Sequence, residues 1–262
     1  MCEPGGPNAA TLGSRIVTHP EQALSFGQVA SLYDSNRPTY PSEAAAWALG
    51  PEIGPGRGTV VDLGAGTGLL TRVLVPLAGE VIAVEPDRNM RTQLLASVPD
   101  VAALAGSAES MPLDDASVDS VVCGQAYHWF DKPRAHPEIA RVLRPGGTFA
   151  ALWNIRDASV PWVRSLDVAI GDAPDGHERD PARRLDIDLG PAFGAVEQKA
   201  FQHEVTMDAD RLVALVTSRS MYIVADRETR ARIKADVRAL AATLPATFAM
   251  PYVTVCCRAT RL

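Results

Sequence analysis

The stretch Val60-Val61-Asp62-Leu63-Gly64-Ala65-Gly66-Thr67-Gly68 constrains the fold of this chain more than any other. Its β-branched apolar start reads as a buried strand, and three glycines within five residues end it in a tight turn. Residues 69–78 then place apolar side chains at helical spacing, and Gly79 marks a helix end. Strand, glycine turn and helix in that order open a βαβ unit. In a parallel sheet such a turn lies at the carboxyl edge of the strands, where ligands bind at the topological switch point.

The rhythm continues downstream. Residues 81–84 read as a second buried strand ended by Glu85-Pro86, and residues 88–98 as a helix. Residues 101–104 and 118–123 give a third and a fourth strand. Residues 133–143 form a helix with proline in its first turn. A fifth strand, 147–153, follows the Pro145-Gly146-Gly147 turn. The expected fold class is therefore α/β, Rossmann-like and doubly wound, with a mostly parallel sheet and right-handed crossovers. The strands lack clean alternation, which fits a sheet covered by helices on both faces. After Trp153 the rhythm breaks. Residues 154–190 are polar and proline-containing and read as an insertion, 193–207 and 253–258 as strands, and 209–218 and 227–243 as helices. Residues 1–25 are expected to be a flexible N-terminus and 26–262 a single domain.

Twenty-five Lys and Arg against 31 Asp and Glu leave a formal charge of −6. That balance disfavours a nucleic-acid partner, which needs basic charge against phosphates. No run approaches the roughly 18 apolar residues of a membrane span, and the first residues lack a basic start followed by an apolar stretch. The expected location is the cytoplasm. Cys2, Cys123, Cys256 and Cys257 match no zinc spacing. Cys256 and Cys257 point to opposite faces of a strand, which disfavours a disulfide between them.

The glycine pattern is Gly-x-Gly-x-Gly, with Leu69 where a dinucleotide fingerprint has its third glycine. A wider, phosphate-free turn suits a nucleoside. Glu85 lies 21 positions after Gly64 at the end of the next strand. A carboxylate there accepts hydrogen bonds from both ribose hydroxyls. The loop Gly106-Ser107-Ala108-Glu109 follows the third strand and sits beside the same pocket, with Ser107 and the Ala108 backbone placed for an adenine edge.

These motifs, in this order, resemble the class I S-adenosylmethionine-dependent methyltransferases. The resemblance is strongest to the small-molecule group that includes the ubiquinone/menaquinone-biosynthesis and trans-aconitate-like enzymes. It rests on VVDLGAGTG (60–68), VIAVEPD (81–87), GSAESMPLDDASVDSVVCGQAYHWFD (106–131) and RVLRPGGTFAAL (141–152). It extends more loosely to residues 26–41 and 250–261. The resemblance implies a seven-stranded sheet whose last strand runs antiparallel beside the fifth, plus a helical cap built from 154–190 and about 208–245 on the acceptor side. It implies S-adenosylmethionine as cofactor, S-adenosylhomocysteine as product, and no metal. The cofactor set it implies is Asp62, Gly64, Ala65, Gly66, Glu85, Pro86, Ser107, Ala108, Glu109 and Gln125, with Asp87 and Asn89 nearby. Ser107 stands where many relatives carry Asp. In resembling enzymes an N-terminal segment folds over the cofactor, which brings in Tyr33 and Arg37, the latter toward the methionyl carboxylate or an acidic acceptor.

Methyl transfer from a sulfonium is an in-line displacement in which positioning does most of the work. A base is needed only where the acceptor must lose a proton. The Gln125-Ala126-Tyr127-His128-Trp129-Phe130 segment follows the fourth strand, so His128 and Tyr127 are the catalytic candidates. Tyr127, His128 and Trp129, with Arg219 and Tyr222 from the cap, are the candidates for acceptor binding. The expected partner is a small-molecule acceptor, and the protein a monomer or homodimer. Two other readings stay open: a non-catalytic S-adenosylmethionine-binding protein, and an NAD-type oxidoreductase. A nucleic-acid methyltransferase is further disfavoured because Gln125-Ala126-Tyr127-His128 stands where such enzymes carry an Asn/Asp-Pro-Pro-Tyr/Phe segment.

Overall fold

The computed structural model describes residues 37–171 and 187–262. The expected flexible stretch 1–25 and the candidate Tyr33 lie outside the described residues. The first described helix is α1 (Ser42–Leu49). It is followed by β1 (Thr59–Leu63), α2 (Thr71–Leu74), β2 (Glu80–Val84), α3 (Arg88–Ser97), β3 (Ala102–Leu104), β4 (Val118–Gly124), α4 (Lys132–Val142) and β5 (Leu143–Arg156). Next come α5 (Pro161–Ala169), β6 (Glu197–Met207), α6 (Ala209–Thr217), α7 (Ser220–Val224), α8 (Arg227–Ala241) and β7 (Phe248–Thr260).

The strands form one seven-stranded sheet in the order β3-β2-β1-β4-β5-β7-β6. Strands β1 to β5 pair in parallel, whereas β7 runs antiparallel between β5 and β6. This is the mixed, Rossmann-like sheet expected, and β1 sits where the strand order reverses. Two apolar layers cover its faces. One packs Phe149, Ile139 and Leu143 against the α4 side, and the other packs Leu49, Leu70 and Leu74 with α1. A third cluster is built from α5, α6, α8 and the outer ends of β6 and β7, in the region expected to form the cap.

Several boundaries differ from the expected ones. The helix expected over 69–78 is one α-helical turn followed by a 3-10 turn, Val75–Leu77. Pro76 lacks the N–H that an α-helix needs there, so the tighter turn takes over. Strand β6 starts at Glu197, with Phe193 making only an isolated bridge to Arg261. Strands β5 and β7 are longer than their apolar cores, because their antiparallel ladder runs on to Arg156 opposite Tyr252. The insertion therefore leaves the sheet after Arg156, not at Asn154. No disulfide joins Cys123, Cys256 or Cys257 among the described residues.

Candidate active site

A cavity of about 1180 Å³ opens along the carboxyl edge of the parallel strands. The glycine turn forms its floor. The Gly64 and Ala65 amides donate to the Val84 carbonyl (2.8 and 3.2 Å), which ties the turn to β2. Gly64 has φ +70° and Gly66 φ +57°, values that favour glycine. A Cβ on Gly64 would lie 2.8 Å from the Ala126 side chain, whereas one on Gly66 would meet no described atom within 4 Å. The first glycine thus answers to packing, and the second leaves open floor.

The carboxylates of Glu85 and Asp62 stand at this end. The Gly66 amide donates to Glu85 Oε2 (3.0 Å) and the Asp87 amide to Oε1 (2.9 Å), so the buried Glu85 side chain is fixed by backbone on both sides. Burial raises its pKa, and the two amides oppose that. Asp87 caps α3, its Oδ1 accepting from the Asn89 and Met90 amides. Asp62 is fully buried at the end of β1. Thr71 donates its hydroxyl to Asp62 Oδ2 (2.6 Å), while Oδ1 has no hydrogen-bond partner among the described residues. Burial pushes the Asp62 carboxyl up to about 7. Pro86, Ser107, Ala108 and Glu109 also line the cavity. Ser107 Oγ accepts from the Glu109 amide, and Glu109 accepts from the Asp131 amide, which joins this loop to the start of α4.

The middle of the cavity comes from the segment after β4. Gln125 has φ +55°, unusual for a non-glycine residue, and its side-chain amide donates to the Asn154 carbonyl (2.9 Å). Its neighbour Gly124 leaves room for Tyr40, whose hydroxyl oxygen would lie 2.5 Å from a Cβ at that position. His128 and Trp129 line the cavity with ring centroids 4.8 Å apart. Surrounding protein and the nearby Lys132 ammonium lower the His128 pKa, although much of the ring remains open to the cavity mouth. A neutral imidazole at pH 7 follows.

Tyr127 faces the other way. It is buried in the main core, stacked on His136 and edge-on to Phe130 and Trp153, with its hydroxyl 3.1 Å from His136 Nε2. The 3-10 turn Tyr127–Trp129 rotates it away from its neighbour His128, and it does not line the cavity. Tyr222 lies half-buried against the third apolar cluster, of α5, α6 and α8, and does not line the cavity either. Arg219 and Arg37 do.

The far end belongs to β5 and β7, where sequence reasoning found little. Trp153, Arg156 and Tyr252 line it together with Asp167 of α5. Arg156 and Asp167 form a buried ion pair, with side chains 9% and 5% exposed. Asn154 donates to the Pro38 and Thr39 carbonyls and accepts from the Thr254 hydroxyl, which lashes the segment after Arg37 to the sheet edge. Among the described residues no group of three His, Cys, Asp or Glu is placed to hold a metal ion, and no helix is long and apolar enough to cross a membrane.

Comparison with known proteins fits this arrangement. Residues 61–151 match the family model described as a methyltransferase domain. The chain is 43% identical over 245 residues to an uncharacterized methyltransferase of Mycobacterium tuberculosis, covering 92% of this chain and 97% of that one. It is 34% identical over 215 residues to an uncharacterized methyltransferase of Schizosaccharomyces pombe, covering 81% and 85%. A solved structure assigned as a type II methyltransferase from Anaeromyxobacter dehalogenans superposes with a TM-score of 0.61 at 28% identity, covering 86% of this chain and 96% of that one.

Proposed function

The chain belongs to the methyltransferase family, and from that premise we propose that it moves a methyl group from S-adenosylmethionine to a small-molecule acceptor in the cytoplasm. One observation carries this reading: an open glycine floor and a fixed carboxylate, Glu85, line the same cavity as Asp62, whose buried Oδ1 has no hydrogen-bond partner among the described residues. Buried polar atoms are rarely left without a partner, so Asp62 Oδ1 calls for a donor. The ammonium of an amino-acid moiety supplies one. Glu85 retains acceptor capacity beyond its two backbone bonds and suits a ribose diol. Open space over Gly66 lets such a ligand approach the backbone, and Ser107 and Ala108 stand where its base would rest.

When bound, the sulfonium cofactor supplies a methyl group already activated by positive charge. The chain's own residues then have modest tasks. The floor and the two carboxylates fix the donor end. His128, neutral near pH 7, takes a proton from an acceptor that must lose one. Trp129 and Trp153 wall the space between the ends, and the cap limits water.

The test is a transfer assay with isotopically labelled methyl donor against a metabolite extract, read by mass spectrometry, beside heat stabilisation by S-adenosylhomocysteine. Stabilisation with transfer is the expected result. Stabilisation by NAD but not by S-adenosylhomocysteine would overturn the donor assignment. Tight S-adenosylhomocysteine binding without transfer into any fraction would favour a non-catalytic binder.

A further inference from the structure

Several walls of the cavity meet on one side chain to which the methyl-transfer reading gives no task. Residues 37–40 precede α1 and belong to no ladder. Arg37 and Tyr40 each stand before a proline, which pushes them toward extended backbone, and Pro38 and Pro41 have no N–H to give. Such a segment is stiff but pairs poorly with a sheet. Asn154 supplies what a neighbouring strand would. Its Nδ2 carries two N–H groups, and these go to the Pro38 carbonyl (3.3 Å) and the Thr39 carbonyl (3.1 Å). Its Oδ1 accepts from the hydroxyl of the buried Thr254 at 2.6 Å. A turned-over amide would set its oxygen against two carbonyls, so one orientation is fixed.

The backbone of Asn154 is held as well. Its carbonyl accepts from the Gln125 side-chain amide, and the Gln125 backbone amide donates to the Leu152 carbonyl, both at 2.9 Å. Asn154 thus joins the segment before α1, the turn after β4 and strand β7. Arg37, Pro38, Tyr40, Gln125 and Asn154 itself all line the cavity. The other end of the segment is fixed by shape. Tyr40 is buried across Gly124, where an added Cβ would lie 2.5 Å from the Tyr40 hydroxyl oxygen and 3.2 Å from Leu70 Cδ2. Leu70 comes two positions after Gly68, the last glycine of the turn. The pinned segment therefore runs from the edge of β5 to the glycine floor. With both N–H groups committed to Pro38 and Thr39, Asn154 has none left for a ligand, and it acts through the segment it holds.

We propose that Asn154 is a positioning residue for the methyl donor: it pins residues 38–39 as a fixed wall beside the glycine floor, with Thr254 setting its amide, and that wall retains the donor. The inference rests on the methyl-transfer reading of the same cavity.

The test follows S-adenosylhomocysteine binding to the full chain, with stopped-flow kinetics for association and release and thermal unfolding of the ligand-free protein alongside. Asn154→Asp keeps the side chain's shape and loses both donors. Thr254→Val keeps its shape and loses the hydroxyl, and it serves where Asn154→Asp does not fold. Each variant is expected to release S-adenosylhomocysteine about tenfold or more faster, with an association rate within about threefold of wild type. Thr254→Ser restores the hydroxyl and is expected to restore slow release. Wild-type release from both Asn154→Asp and Thr254→Val overturns the proposal. A lowered unfolding midpoint with wild-type release overturns it too, because the network would then serve the fold alone. So does a Thr254→Ser variant that releases as fast as Thr254→Val. Failure of the wild type to bind S-adenosylhomocysteine at all sinks the methyl-transfer reading, and with it the donor assigned to this wall.

Discussion

On the proposed function, the proton of Asp62 and the cofactor's ammonium compete for the same carboxylate. With its carboxyl pushed up to about 7, it is largely protonated in mildly acidic solution. The sign follows from linkage: an acid whose folded pKa is raised favours the folded state at low pH, and that contribution is lost as pH rises from the usual carboxylate range through 7. A cation bound at Oδ1 favours the ionised form, so binding expels the proton below pH 7. S-adenosylhomocysteine affinity is therefore expected to be flat above about pH 7.5 and to fall by up to about tenfold per unit below 7. Calorimetry across pH 5.5–8 checks this, and Asp62→Asn should remove the dependence. Glu85→Ala should weaken the same ligand by about 1.5–3 kcal/mol, a lost set of charged hydrogen bonds. Gly66→Trp should abolish binding, since its side chain would fill the open floor and its backbone sits at φ +57°. His128→Ala should lower turnover and flatten the acidic limb of its pH profile, with S-adenosylhomocysteine affinity retained; unchanged turnover would demote His128 to a wall residue. That these residues share one cavity was legible in the sequence because they are close along the chain. Gly66 and Glu85 sit on adjacent strands of one βαβ unit, and their amide-to-carboxylate bond spans 19 positions.

Strand β4 and the turn after it show where such reading stops. The sequence placed Tyr127, His128 and Trp129 together at the carboxyl edge, but it did not say which way each side chain turns. The 3-10 geometry sends Tyr127 inward to Phe149 and Trp153 and leaves His128 at the mouth. Whether a strand runs past its apolar core depends on its ladder partner. Strand β5 continues to Arg156 only because β7 reaches back opposite it, and the register that joins Arg156 to Tyr252 links positions far apart in the chain. No local pattern in either segment carries that information. The glycine at the end of β4 is likewise explained only in three dimensions. Gly124→Ala should force Tyr40 to move, since its hydroxyl lies 2.5 Å from the new carbon, and should destabilise the protein by about 1–3 kcal/mol. Chemical denaturation would measure it, and an unchanged midpoint would mean that Tyr40 swings aside freely.

At the scale of the molecule, the sheet and the cap have separate apolar clusters that meet at the cavity. Val163, Leu212, Ile233 and Met250 pack in the cap, apart from the layers that cover β1 and β4. Ile233→Ala should therefore loosen the cap, at a cost of about 2–4 kcal/mol, and raise KM for the acceptor. The S-adenosylhomocysteine affinity should stay within about twofold, and equal loss at both ends would show that the two clusters act as one. The Arg156–Asp167 pair is a buried ion pair between them, with Arg156 at the end of the β5–β7 ladder and Asp167 on α5. It has a consequence for inheritance. A chimera that exchanges the chain from Ile155 onward between this protein and its mycobacterial relative should carry acceptor choice along with the transplanted piece and leave donor choice behind. The seam must then fall before Arg156, so that the guanidinium and its carboxylate travel as a matched couple.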